Sequence, residues 1–327
     1  MNRRQCLTAL LALGVFAPPL RAVSGRIPKI GYLSFGPITD VPSRERQELL
    51  DGLRALGWVP GKSIELIYRS AEGEVAFLPA MCEELLREKV DVLATPGAAA
   101  TLAAIRATRG VPIVFLALGD PVAVGATDSV ARPSRNATGT SFLSSELAGK
   151  RIELLRLAVP AARRVAILWE RGNPNALAES DSAAAAALSV GLSVESVQVQ
   201  SQSEVNSAFE RLAARVPDAL YVCFTAGLVS SNRTAIAEFG LSHHVPVISG
   251  RDFITEAGGL LSYAPDVPAM FRRSAYYFDR ILKGVAPIDL PIEQATKIEL
   301  IINLRTARSL GLKLPPDLLL RADRVIE

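Results

Sequence analysis

The residue types with most capacity for chemistry converge on Thr95-Pro96-Gly97-Ala98-Ala99, between an aliphatic run at 90–94 and an alanine-rich stretch at 98–109. The run reads as a buried parallel strand and the stretch as a helix. A strand that opens through small residues directly into a helix aims unpaired N–H groups and the positive end of the helix dipole above the sheet. That is an anion pocket, and the expected occupant is a carboxylate on the N–H groups of Gly97, Ala98 and Ala99. Burying a carboxylate without partners costs on the order of several kcal/mol, so fixed donors there would set its orientation. The competing reading is a tight turn with Thr95 as helix cap.

Other strand ends add candidates. Ser34 and Phe35 follow the first predicted strand, and Asp120-Pro121 follows the run at 112–118. Asp120 has the charge to accept an ammonium group, and Asp before Pro equally starts an ordinary turn. Phe35, Trp169 and Tyr263 offer flat apolar walls for a ring, or core under a strand. From the second half, Asn173, Thr225, Ala226, Arg251, Asp252 and Phe253 follow predicted strands and face the same cleft if two sheets oppose their carboxyl ends. Arg251 and Asp252 alternatively pair with each other on a solvated rim.

Catalytic and metal chemistry find little support. The two histidines, His243 and His244, are adjacent, so they share no helical face, and soft ligands are too few for zinc or a transition metal. There is no G-x-x-x-x-G-K-[ST] loop and no G-x-G-x-x-G fingerprint, so no cofactor is expected. Past residue 22 the cysteines are Cys82 and Cys223, each inside a predicted element, which favours two unpaired core thiols over a disulfide.

The elements that must position these residues alternate. Strands are predicted at 29–35, 63–69, 90–94 and 112–118, with helices at 44–56, 75–89 and 98–109. Gly57 stops the first helix. Strict alternation implies a parallel sheet covered on both faces, with ligands beyond the carboxyl ends of the strands. Periodicity pauses between 121 and 143, the expected interdomain crossing. The pattern then restarts with a helix at 145–158, strands at 164–169, 192–199, 219–224 and 246–248, and helices at 175–189, 204–215 and 230–242. A return crossing at 259–263, a long helix at 267–283 and a strand at 298–302 complete it. The expected fold is α/β: two Rossmann-like lobes with parallel sheets joined by a multi-crossing hinge. Lobe one is expected at 27–135 plus 264–288, and lobe two at 140–259 plus 291–327.

A chain of 327 residues exceeds the usual single core, in keeping with two lobes. Its 49% hydrophobic and 21% charged residues are ordinary globular composition. The formal charge of +3 is accounted for by Arg3, Arg4 and Arg21, which leaves no basic patch for nucleic acid. Residues 1–22 combine the Arg3-Arg4 positive region, an uncharged stretch from 7 to 20, and Ala22. This reads as a secretory signal cut after Ala22, with a weak likeness to a twin-arginine signal. The expected location is the periplasm.

Several segments in order carry a family resemblance: Gly52-Leu53-Arg54-Ala55-Leu56-Gly57-Trp58; Pro112-Ile113-Val114-Phe115 leading to Gly119-Asp120-Pro121; Ala131-Arg132-Pro133 to Asn136-Ala137-Thr138-Gly139; and Gly149-Lys150-Arg151-Ile152-Glu153-Leu154-Leu155. Gly258-Gly259-Leu260-Leu261-Ser262-Tyr263, Ile281-Leu282-Lys283-Gly284 and Ile301-Ile302-Asn303-Leu304 follow. Beyond residue 22 the chain resembles extracytoplasmic solute-binding proteins of ABC transporters, the family that includes the tryptophan-type binding proteins, with the type I periplasmic binding fold. The resemblance implies two lobes closing on a small solute, an amino acid or an aromatic or small carboxylate. A membrane permease with a separate ATPase would receive it, and the binding protein would be a monomer and not an enzyme. At Thr95-Pro96, and at Arg171-Gly172 before Asn173, the chain departs from the family pattern, which leaves the solute open. Two other classes share the architecture. One is a cofactor-independent racemase with one thiol per lobe, disfavoured because Cys82 and Cys223 lie within elements. The other is a ligand-sensing domain acting through a receptor.

Overall fold

The computed structural model describes residues 26–142, 144–224 and 227–327. The expected signal segment lies outside them, as do Thr225 and Ala226. The first half runs β1 (Lys29–Ser34), α1 (Arg44–Ala55), β2 (Glu65–Ser70), α2 (Leu78–Arg87), β3 (Val92–Pro96), α3 (Gly97–Ala107), β4 (Ile113–Leu118) and β5 (Ala137–Ser141). The second runs α4 (Ser144–Ala158), β6 (Arg164–Glu170), α5 (Pro174–Ser189), β7 (Ser193–Val199), α6 (Gln202–Ala214), β8 (Ala219–Val222), α7 (Leu228–Ser231), α8 (Arg233–Ser242), β9 (Val247–Ser249), α9 (Asp252–Glu256) and β10 (Leu261–Pro265). Last come α10 (Val267–Leu282), β11 (Glu293–Gln294), β12 (Ile298–Asn303), α11 (Leu304–Ser309), α12 (Pro316–Leu320) and β13 (Arg324–Ile326).

Two sheets form. The first has the order β11-β5-β4-β3-β1-β2 and the second β13-β12-β10-β9-β8-β6-β7. Pairings are parallel except β10 with β12, which is antiparallel. These are the two parallel-sheet lobes expected from the alternation, in the type I periplasmic binding fold that the resemblance implies. The chain passes between the sheets around residues 142–144, 265–267 and 295–297, because β5 and β11 belong to the first sheet while β10 and β12 belong to the second. At the latter two passages the strands run side by side, with the Asp266 N–H donating to the Lys297 carbonyl at 3.4 Å.

Strand β5 occupies part of the stretch expected to lack structure. Its sequence, Ala-Thr-Gly-Thr-Ser, is wholly buried, but small side chains give no apolar alternation to read. Gly139 has φ +150°, and a Cβ there would lie 2.0 Å from the Phe115 carbonyl oxygen, so the close approach to β4 requires glycine. The helix expected at 230–242 is broken at Asn232 into α7 and α8.

Each sheet is sandwiched between buried clusters. Helices α1 and α10 cover one face of the first sheet through Leu49, Leu53, Phe271 and Phe278. Gly52 lets them touch, since a Cβ there would stand 2.6 Å from the Arg272 carbonyl oxygen. Helices α2 and α3 cover the other face, with Leu85, Cys82 and Ala104. In the second lobe, α4 and α5 pack Ile152, Leu155 and Ala183 beneath Tyr221 and Cys223. Cys82 and Cys223 are each free and buried, one in each lobe. Burial pushes the Cys82 thiol up to about 11, with neighbouring Glu83 adding to it, and pushes Cys223 well above the ordinary thiol value.

The second lobe also buries charge. Arg151 is fully buried; its Nε donates to the Tyr263 carbonyl at 2.8 Å and its Nη1 to Glu179 Oε1 at 2.8 Å. The Tyr221 hydroxyl donates to the same oxygen at 2.8 Å, and the other Glu179 oxygen accepts the Phe224 N–H at 3.1 Å. A buried pair of this kind stands only when its remaining hydrogen-bonding capacity is largely met. Here that requirement ties α4, α5 and the end of β8 to one another and fixes the backbone of Phe224, which faces the first lobe.

Candidate functional site

A cavity of about 420 Å³ lies between the lobes, over the carboxyl ends of β1, β3 and β4. Ser34 and Phe35 line it after β1, and Pro96 and Gly97 line it where β3 meets α3. From the second lobe come Phe224, Arg251 and Phe253. These seven include six of the residues expected from strand ends, together with Phe224, which was not.

The junction at Gly97 differs from its expected form in one respect. Thr95 and Pro96 are the last residues of β3 rather than a turn, pairing with Phe115 and Leu116 of β4, and α3 starts at Gly97 with φ +74°. The Thr95 hydroxyl is buried and lies 2.9 Å from the Thr101 hydroxyl, which donates to the Gly97 carbonyl at 2.6 Å. It therefore does not cap the helix, and Pro96 at the cap position makes no side-chain hydrogen bond. The first N–H groups of α3 have no side-chain acceptor among the described residues. Ala98 is buried and Ala99 half-buried against the first-lobe core, and of this junction only Pro96 and Gly97 line the cavity.

Arg251 reaches across the cleft. Its Nη2 donates to Glu45 Oε1 at 2.8 Å, while its guanidinium carbon lies 4.8 Å from the Phe224 ring centre and 4.6 Å from that of Phe253. Cation–π contacts on two sides hold the guanidinium in place. Of the two readings of Arg251, the cleft-facing one holds and the Arg251–Asp252 rim does not, because the extended backbone at Arg251 aims the side chain at α1. Burial raises the Glu45 carboxyl, but the Arg251 charge and hydrogen bond outweigh it and hold the group below the ordinary carboxylate value. Arg251 is only 6% exposed, and its Nε has no hydrogen-bond partner among the described residues.

On the first-lobe wall, Ser43 caps α1 by accepting the Arg46 N–H, placing Glu45 and Arg46 at the cavity. The Arg46 guanidinium donates to the Thr39 carbonyl and lies 5.6 Å from the Tyr68 ring centre. Tyr32 packs its ring 5.5 Å from Tyr68; burial, partly opposed by Arg46, holds its hydroxyl far above the ordinary tyrosine value, so it is a neutral donor. Phe142 and Phe224 meet at 4.3 Å between ring centres, closing the floor between lobes. At another point a Cβ on Gly172 would come within 3.2 Å of Val75, so the lobes also meet there.

The remaining candidates are held elsewhere. Asp120 turns inward on its own loop, accepting the Val122 and Ala123 N–H groups at 3.1 and 2.9 Å. It is an ordinary turn starter with Pro121 buried beside it, and it does not line the cavity. Its N–H nevertheless donates to Asn175 Oδ1 of the other lobe at 3.4 Å, where Gly119 admits Asn175 and Ser144. Asn173 caps α5, accepting the Asn175 N–H at 3.1 Å. Trp169 donates from Nε1 to Ser196 on β7 at 2.9 Å, and its ring, like that of Tyr263, packs on the second-lobe core. Both are walls of the core rather than of the cleft. Asp252 opens the short helix α9, half-buried and outside the lining.

Tyr32, Glu45, Arg46, Phe224 and Arg233 line the cavity without having been singled out. The available signal was the charged pair Glu45-Arg46 directly after a Ser43 cap, on the helix that follows β1. Among the described residues there is no cluster of three or more His, Cys, Asp or Glu side chains that would hold a metal ion. No helix among them is long and apolar enough to cross a membrane.

Comparison with known proteins agrees with this fold. A tyrosine-binding protein of Clostridioides difficile is 23% identical over 271 residues, covering 83% of this chain and 77% of the relative. The crystal structure of a conserved domain protein from Vibrio cholerae superimposes with a TM-score of 0.85 at 26% identity, covering 92% of this chain and all of the other. That of an ABC domain in complex with L-Trp from Streptococcus pneumonia gives 0.83 at 24% identity with the same coverage. Residues 39–326 match the family model for ABC transporter substrate binding proteins, and the chain belongs to that family.

Proposed function

We propose that this protein is the extracytoplasmic solute-binding component of an ABC importer. Its lobes close on a small carboxylate solute, an amino acid or an aromatic or aliphatic acid, and deliver it to a membrane permease driven by a separate ATPase. Residues 1–22 would direct export to the periplasm, and the chain would act as a monomer, with lobe one built on the first sheet, so that β5 and β11 fall in it rather than in the expected 140–259 and 291–327, and lobe two built on the second sheet, which takes β10. The observation that carries the reading is the juxtaposition, in one inter-lobe cavity, of an α3 N-terminus without a side-chain cap and the Arg251 guanidinium between two phenyl rings. Fixed donors would orient an acid group, and Phe35, Phe224 and Phe253 would supply apolar walls for the rest of the solute.

In this reading Ser34, Phe35, Pro96, Gly97, Arg251 and Phe253 contact the solute directly. The backbone of Ala98 and Ala99 donates to its carboxylate, and Tyr32 and Arg46 complete the first-lobe wall. A thermal-shift screen of the chain from residue 23 against amino acids, aromatic carboxylates and small organic acids tests it. A ligand that binds only the folded state at one hundred times its Kd adds about 2.7 kcal/mol of stability. At least one acid should raise the melting temperature, and a flat response across a broad library would sink the transport reading.

A further inference from the structure

The charges facing the cleft do not balance. Arg46, Arg233 and Arg251 line it, against the single described carboxylate of Glu45, which leaves a surplus of two positive charges. Glu45 is already engaged with Arg251. Arg46 donates to the Thr39 carbonyl and Arg233 to the Ser230 carbonyl at 3.5 Å, and neither has a carboxylate partner among the described residues. Asp120, the acid best placed by sequence to receive an ammonium, spends Oδ1 on its own turn.

An independent observation points the same way. The Arg251 side chain is 93% buried, with 7% exposure, and its Nε has no partner among the described residues. Nε lies on the same edge of the guanidinium as Nη2, which holds only one oxygen of Glu45. That edge presents two parallel donors, the arrangement that fits a carboxylate in bidentate fashion. One of the two is unused.

We propose that the cleft selects solutes of net negative charge over zwitterions of the same carbon skeleton: an organic acid ahead of its amino acid, and a dicarboxylate ahead of its amino derivative. The inference rests on the small-carboxylate reading of the cleft. A zwitterion leaves the surplus of two unchanged, a monoanion reduces it to one and a dianion cancels it. The sum is the same if the solute separates Glu45 from Arg251, since breaking a pair moves charge without removing any. In a water-poor cleft an added ammonium would be repelled by arginines that no carboxylate offsets.

Isothermal titration of the chain from residue 23 with matched probes tests the proposal: 3-phenylpropionate against L-phenylalanine, indole-3-propionate against L-tryptophan, and glutarate against L-glutamate. In every pair that binds, the more negative member should bind at least fivefold tighter. The preference should shrink as salt is raised, because charge discrimination is screened. Arg233→Gln, at an exposed position where folding is insensitive, should narrow it further. A ratio below fivefold, or a preference for the amino acid, overturns the inference while leaving the carboxylate reading intact. Binding by none of the six overturns the carboxylate reading and this inference with it.

Discussion

Arg251 of the second lobe and Glu45 of the first meet at 2.8 Å across the cleft, with the guanidinium held between Phe224 and Phe253. The pair joins the lobes at the wall of the cavity, and any separation of the lobes there would break it. A hydrogen bond between charged groups in such a half-buried setting contributes about 1.5–3 kcal/mol. Glu45→Gln should therefore move the ligand-free chain toward an open form by roughly tenfold or more. Distance distributions between labels on the two lobes, or small-angle scattering, would report the shift; an unchanged distribution would remove the pair from the closing contacts.

The same pair sets a pH dependence. The folded carboxyl of Glu45 is held below its ordinary value of 4.5, so its contribution is complete above that value and is lost as pH falls through the lower folded value. Closure should be flat from pH 5 to 8 and weaken only under acid. Lobe distance followed from pH 7 to pH 3 tests this, and loss of closure between pH 6 and 7 would assign the linkage to another group.

At the start of α3, Ala98→Pro removes one N–H donor from the first helical turn, where proline is tolerated. Affinity for an acid solute should fall about tenfold or more, the loss of a charge-assisted hydrogen bond, with little change in melting temperature. Unaltered affinity would move the acid group elsewhere in the cleft.

Gly119 stands where a Cβ would lie 2.6 Å from the Asn175 side chain and 2.8 Å from Ser144 Oγ. Gly119→Ala should separate the lobes at this point, with an overpacking cost of about 1–3 kcal/mol, and Asn175→Ala in the same chain should recover part of it. Comparison of the two variants by lobe distance separates inter-lobe strain from a general loss of stability.

In the second-lobe core, Glu179→Ala leaves Arg151 buried without its carboxylate, a change that costs about 3–5 kcal/mol. Denaturant unfolding followed through Trp169, in a Trp58→Phe background, reads the lobe concerned. The mutation should also weaken solute binding, because Glu179 holds the Phe224 backbone.

The alternation of strand and helix was legible because buried parallel strands such as β4, fully apolar from Ile113 to Leu118, leave nothing else for the chain to form. Strand β5 was not, since Ala, Thr, Gly and Ser bury without announcing it. The position of Gly97 was legible for the same reason as β3, although the strand continues through Thr95 and Pro96. The second-lobe wall was read in part, because Arg251 and Phe253 directly follow β9. Tyr32, Glu45 and Arg46 were not, because the loop at 35–43 folds α1 back over its own strand, a tertiary placement that local periodicity does not encode. Residue type left Trp169 and Tyr263 open between ring walls and core under a strand, and the side of the sheet on which they lie decides for core.

The central claim is that an acid solute is held in the inter-lobe cleft by Arg251. Titrating the acid that gives the largest thermal shift into the native chain and into Arg251→Gln measures this directly. The account predicts one site per native chain and at least tenfold weaker binding in the variant, with Arg251→Lys intermediate. Equal affinity in a folded Arg251→Gln chain would contradict it.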